Sequence, residues 1–203
     1  MLKTGWKIKG EGMDHYLEIR VQPDAEIREN ELLNKLYSKF HKALCDLKAT
    51  DIGVSFPEYQ IKLGRTLRIH GTAARLAELQ QLNWLGGLSG YCKIAEIQTI
   101  PTEVQYRTVS RVQATMSNAK LNRLLKRGTA TENVVKQYKA KMFSQRLAKR
   151  FGGRLDNPYL ELNSSSNGHK HRRYLSFGNL QAEPRAGVFD FFGLSKTATI
   201  PVF

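Results

Sequence analysis

The chain has 203 residues, 41% of them apolar, with 32 Lys or Arg against 18 Asp or Glu and a formal net charge of +14. That length allows one large or two small domains with a real core, and no apolar run approaches the ~20 residues of a membrane span. Two distant cysteines, Cys45 and Cys92, argue against a disulfide framework or a zinc site, and with no signal-peptide pattern at the start they predict a protein of the reducing cytoplasm.

Residues 1–12 show no strong period and receive no role. From Met13 the pattern becomes regular. "HYLEIRV" (15–21) alternates as a strand, and "NELLNKLYSKFHKALCDL" (30–47) carries the apolar stripe of a helix capped by Asn30. "DIGVSFP" (51–57) and "TLRIH" (66–70) are short strands. "TAARLAELQQLNWL" (72–85) is a helix capped by Thr72, and "YCKIAEIQTI" (91–100) is a strand ended by Pro101. The order β-α-β-β-α-β is ferredoxin-like. Its third strand lacks the stacking aromatics by which an RNA-recognition motif holds bases, so RNA binding in that manner is not expected.

After Pro101 the character changes. "YRTVSRVQAT" (106–115) reads as a strand, "SNAKLNRLLKR" (117–127) as a helix ended by Gly128, and 131–150 as a second basic helix capped by Thr131. A turn-rich joint (152–158) precedes strand-like pieces at 159–162, 172–177 and 187–192. The fold class is therefore α+β: a ferredoxin-like domain over 13–103, then a smaller domain over 104–203 with basic helices and short antiparallel strands.

The charge is concentrated. Residues 107–150 hold 12 Lys or Arg and a single acidic residue, whereas residues 1–106 are nearly neutral. Such a block suits a polyanion, and a membrane-surface helix would want bulky aromatics opposite the charge. On the helical wheel Lys120, Arg123 and Arg127 share a face with Lys126 beside it, and Leu121, Leu124 and Leu125 gather elsewhere. A solvated face usually interleaves Glu with Lys, and here no carboxylate does so. In the preceding strand Arg111 and Gln113 point to one side, roughly 6–7 Å apart. Arg matches the guanine edge and Gln the adenine edge, so two stacked base pairs are within their reach, although exposed polar residues on a strand are also routine.

Several blocks in order, "MDHYLEIRVQPDAE", "IGVSFPEY", "LRIHGTAARLAEL", "YRTVSRVQAT" and "FGLSK" with a terminal "PVF", resemble the type I-F CRISPR-associated endoribonucleases, the Csy family of CRISPR-RNA processing enzymes. The resemblance spans Met13 to Phe203, with gaps around 58–65 and 128–157. It implies a prokaryotic enzyme that binds the CRISPR repeat hairpin and cuts at the 3′ base of the stem without a metal or cofactor. It further implies that the product stays bound, among the other subunits of the type I-F surveillance complex. By the same resemblance Arg111 and Gln113 read the lowest base pairs of the stem. The helix bearing Asn118, Lys120, Arg123, Lys126 and Arg127 corresponds to the family's arginine-rich helix, with fewer arginines.

RNA supplies its own nucleophile, so such a protein need only hold the 2′-hydroxyl in line and move a proton. Read alone, His41 is a partly exposed helix histidine without a role; the resemblance makes it the general base. It also assigns Ser164, with Ser166 assisting, to fixing the ribose, Ser165 being the alternative in register. His171, followed by Arg172, stands where the family stacks an aromatic on the terminal base pair. Phe192 stands where the family has a tyrosine that orients the catalytic histidine, and it lacks the hydroxyl. The scattered Asp156, Glu161 and Asp190 do not form the carboxylate cluster of a two-metal nuclease. Two other readings stand beside this one: a non-catalytic hairpin-binding subunit of the same complex, and a basic protein that assembles on other structured RNA.

Overall fold

The structure is a computed structural model that describes residues 12–112, 118–140, 157–163 and 169–203. In chain order the elements are β1 (His15–Val21), α1 (Glu29–Leu47), β2 (Gly53–Ser55), β3 (Thr66–Gly71), α2 (Ala73–Gln81), β4 (Cys92–Ile94), β5 (Gln98–Thr99), β6 (Gln105–Arg107), β7 (Val109–Val112), α3 (Asn118–Lys126), α4 (132–140), β8 (Tyr159–Asn163), β9 (Lys170–Phe177) and β10 (Ile200–Val202). It is a mixed α+β protein in which β1 pairs antiparallel with β3, β4 and β5, β2 with β3, β6 with β10 and β8 with β9. The chain forms two compact units, one of residues 1–111 with 158–203 and one of residues 112–157.

In the first unit β1 alternates as its sequence demands: Leu17, Ile19 and Val21 are buried, while Arg20 faces outward. It pairs with β3 from His15↔Gly71 to Arg20↔Thr66, giving a sheet ordered β2-β3-β1-β4. The single strand expected over 91–100 is interrupted. Ile19 faces Ile94, but Tyr16 faces Gln98, so one extra residue is accommodated between β4 and β5, as in a β-bulge. α2 begins as expected, with Thr72 Oγ1 accepting from Arg75 N. α1 does not: it starts at Glu29, before the expected cap Asn30, with Arg28 at the cap position making no side-chain cap. Glu29 and Glu31 in its first turn complement the helix dipole instead.

α1 is the centre of the core. Leu32, Leu33, Leu36, Tyr37, Phe40, Ala43 and Leu44 are all buried, a stripe wide enough to serve two layers. It packs on β1 and β3 and also on β8 of a second sheet, ordered β7-β9-β8. The β8–β9 ladder runs from Tyr159↔Tyr174 to Asn163↔Lys170 and contributes buried Leu160, Leu162 and Leu175. The Asn34 side chain of α1 accepts from Glu161 N at 3.0 Å, fixing β8 to the helix. The strand expected over 106–115 is split at Thr108, whose carbonyl accepts from Gly178 N, and β6 pairs with β10.

In the second unit α3 ends as expected at Gly128, which adopts φ +66°. Gly128 N donates to Leu125 O and Thr129 N to Leu124 O, the double bond pattern of a left-handed helix stop. Thr131 Oγ1 accepts from Val134 N at the start of α4, and Leu121 and Val135 are buried. The remainder of the basic segment expected as a helix to residue 150 lies outside the described residues.

Candidate active site

His41 follows the fully buried Phe40 on α1, so its own ring is half exposed at the edge of the core. The partner that holds it comes from residues 187–192, which were expected as a strand and instead lead into a tight turn. The β-branched and aromatic composition of GVFDFF suggests a strand, but Asp190 closes the chain on itself. Its Oδ1 accepts from Phe192 N (2.9 Å) and Leu194 N (3.0 Å), and its carbonyl accepts from Gly193 N. Gly193 has φ +69°, a conformation that favours glycine, and a Cβ there would crowd Phe40 and Val54 at 3.2 Å.

The turn is tied to the core at three points. Gly193 O accepts from Val54 N of β2, Thr50 O accepts from Phe189 N, and the buried Tyr37 hydroxyl donates to Phe192 O at 2.7 Å. Burial, with a minor contribution from Asp190, pushes the Tyr37 phenol well above the ordinary tyrosine range, so it remains a donor. These ties present the Phe191 carbonyl to the imidazole: His41 Nδ1 lies 2.7 Å from Phe191 O. A carbonyl can only accept, so Nδ1 carries the hydrogen and the neutral ring keeps its lone pair on Nε2. Phe192 adds a second constraint, stacking on the imidazole at 3.5 Å between centroids and 11° between planes. Such pairs contribute roughly 0.5–1.5 kcal/mol. Cys45, one helical turn on, places Sγ 3.7 Å from Nδ1 and 3.9 Å from Nε2; burial, then Asp46, pushes its thiol pKa up.

The other face of Phe192 is covered by Arg173 of β9, whose guanidinium carbon lies 3.4 Å from the ring centroid. Two groups at van der Waals distance from one centroid cannot share a face, so His41, Phe192 and Arg173 form a three-layer stack. Burial chiefly pulls the Arg173 pKa below the arginine value; Arg111 pulls the same way and Asp190 opposes it.

The other residues singled out from the sequence are distributed as follows. Arg111 is exposed on β7, the strand beside β9. His171 and Arg172 are exposed on β9; Arg172 Nε donates to Glu161 and its guanidinium lies 4.5 Å from the Tyr159 ring centroid. Arg123, Lys126 and Arg127 are exposed in the second unit. Gln113, Ser164 and Ser166 lie outside the described residues, as do the side chains of Asn118 and Lys120 in α3. Among the described residues no group of three or more His, Cys, Asp or Glu is arranged to hold a metal, and no helix is long and apolar enough to cross a membrane.

Three contributors escaped the sequence: the Phe191 carbonyl, the Tyr37 hydroxyl and Arg173. Only Arg173 left a signal there, as the charged member of the row Arg173, Leu175 and Phe177 on a period-two strand.

Two relatives named CRISPR-associated endonuclease Cas6/Csy4 align over their full lengths and over 94% of this chain. One, from Escherichia coli (strain UTI89 / UPEC), is 38% identical over 192 residues, and the other, from Pseudomonas aeruginosa (strain UCBPP-PA14), is 36% identical over 195. The family model described as CRISPR-associated protein (Cas_Csy4) matches residues 16–203, and the chain belongs to that family.

Proposed function

We propose that this protein is a CRISPR-RNA processing endoribonuclease that binds the repeat hairpin, cuts at the 3′ base of its stem without a metal, and stays on the product within the type I-F surveillance complex. The names of its relatives support the endonuclease part. The observation that carries the chemistry is the 2.7 Å bond from His41 Nδ1 to the Phe191 carbonyl, which leaves Nε2 as a base. In the reaction the 2′-hydroxyl gives its proton to Nε2, the 2′-oxygen bonds to phosphorus, and the bond to the 5′-oxygen breaks. That oxygen takes a proton from water, and the upstream fragment ends in a 2′,3′-cyclic phosphate. Ser164 and Ser166 fix the ribose, and His171 stacks under the terminal base pair beside Arg172.

Recognition is divided between Arg111 with Gln113, which read the bottom of the stem, and a phosphate grip from Asn118, Lys120, Arg123, Lys126 and Arg127. The sheet order β2-β3-β1-β4, with α1 and α2 both packed on β1, supports a ferredoxin-like arrangement over 13–103; residues 104–203 are the proposed RNA-binding domain. The cytoplasm is the proposed location.

The alternative, a non-catalytic hairpin-binding subunit, is favoured by the missing hydroxyl at Phe192. The Phe191 carbonyl answers that objection, because it holds the imidazole from the same turn. Cutting of the cognate repeat RNA in EDTA, with a cyclic phosphate end and no reaction when the ribose 5′ of the scissile phosphate is 2′-deoxy, tests the reading. A requirement for Mg²⁺ defeats the mechanism, and tight binding without cutting supports the alternative.

A further inference from the structure

The β8–β9 layer is apolar at Leu160, Leu162 and Leu175, and one cation sits among them. Arg173, opposite Leu160 in the ladder, is 6% exposed. Its Nε has no hydrogen-bond partner among the described residues. The nearby carboxylate, Asp190, is already committed through Oδ1 to two backbone N–H groups of its own turn. A charge taken out of water needs compensation, and the Phe192 face at 3.4 Å supplies only part of it. The neighbouring charge of Arg111 adds repulsion. A buried, partly compensated cation across one ring from a half-exposed imidazole is an arrangement that an anion would complete.

We propose that Arg173 is a phosphate-binding residue that holds a non-bridging oxygen of the scissile phosphodiester while His41 acts on the adjoining 2′-hydroxyl. The inference rests on the ribonuclease reading above and adds to it a residue that the family resemblance does not assign. The geometry suits one phosphodiester. Imidazole and guanidinium lie on opposite faces of a single ring, two ring thicknesses apart. In a near-attack arrangement the 2′-oxygen stands about 3–3.5 Å from phosphorus, and a hydrogen bond of about 2.9 Å extends from the reacting group on each side. A phosphodiester passing the rim of Phe192 can therefore touch both. Negative charge on the non-bridging oxygens grows during attack, so the contact strengthens in the transition state.

The test uses the full-length protein, its Arg173→Leu and Arg173→Lys variants, and the cognate hairpin. Single-turnover cleavage at saturating protein is expected to fall roughly 100-fold in Arg173→Leu and to recover in part in Arg173→Lys. The Tm without RNA should hold or rise in Arg173→Leu, because the new side chain matches its apolar neighbours. The unaltered protein should prefer a 2′-deoxy hairpin that extends past the scissile phosphate over one ending before it, by about tenfold, and Arg173→Leu should lose that preference. Inorganic phosphate at constant ionic strength should raise the Tm of the unaltered protein but not of Arg173→Leu.

Cleavage at full rate by Arg173→Leu overturns the proposal, as does a rate loss that tracks a fall in Tm and is not restored by lysine. If the unaltered protein cuts no repeat RNA, the ribonuclease reading fails by itself. The phosphate titration then still decides the site, and an equal Tm response in both forms rules it out.

Discussion

The imidazole of His41 is fixed by the backbone of Phe191: a 2.7 Å bond from Nδ1 to a carbonyl oxygen 150 residues further along the chain. A main-chain acceptor cannot be removed by substituting Phe191 itself. The variant that isolates the proposed chemistry is therefore His41→Ala. It should lower cleavage by about 10²–10⁴-fold while leaving the Kd for an uncleaved hairpin nearly unchanged. Parallel filter-binding and cleavage assays measure the two, and an equal loss in both contradicts the division.

Phe192 serves as a spacer with two occupied faces. Phe192→Tyr should change the cleavage rate by less than about threefold, since the carbonyl already holds Nδ1. Phe192→Ala removes a stacking contact worth ~0.5–1.5 kcal/mol and a buried cation–π contact worth ~2 kcal/mol. Both rate and Tm should then drop. A large gain in rate from the tyrosine would show that the hydroxyl was missed after all.

Arg111 stands exposed on β7. If it reads a guanine edge, Arg111→Ala should reduce discrimination between the cognate stem and one with an altered bottom pair by ~1–3 kcal/mol. A uniform loss across all stems, together with a shallower salt dependence, would assign it to phosphate instead.

A pH effect on folding follows from a different histidine. His70 is fully buried on β3, with Nε2 2.7 Å from Ser55 Oγ, and its pKa is lowered from the ordinary 6.5 to about 3, first by burial and then by Arg68. The unfolded chain thus binds a proton near pH 6.5 that the folded chain refuses until about pH 3. The stabilisation is present above 6.5 and is lost as pH falls through that window, at up to ~1.4 kcal/mol per pH unit. Urea unfolding between pH 7 and pH 4 should show this slope, and His70→Gln should flatten it.

α1 ends on Lys48 in the left-handed conformation, φ 50°, with Lys48 N bonded to Cys45 O and Ala49 N to Leu44 O. A non-glycine residue there is strained by ~1 kcal/mol. Lys48→Gly should raise the unfolding free energy by about that amount, visible as a higher Tm.

Much of the first unit was legible in the sequence because each element serves one face at one period. Leu17, Ile19 and Val21 announce β1, and Thr72 announces α2 with its cap. α1 was found as a helix, but its packing on two layers could not be: β1 and β3 lie nearby in the chain, and β8 arrives more than a hundred residues later. The site was least legible for the same reason. The segment 187–192 is β-branched and aromatic like a strand, and the Asp190 carboxylate, gathering two N–H groups, bends it into a turn. Arg173 was a visible anomaly in a strand, and the ring it packs on, Phe192, belongs to another part of the chain.

The welding of the 189–194 turn to Thr50 and Val54 bears on when the protein becomes competent during synthesis. A nascent chain that has made α1 but not yet Phe191 carries a histidine with no backbone acceptor and no ring against it. On the proposed reading, competence waits until that turn has been made and folded against α1, and a product truncated before it would be inert.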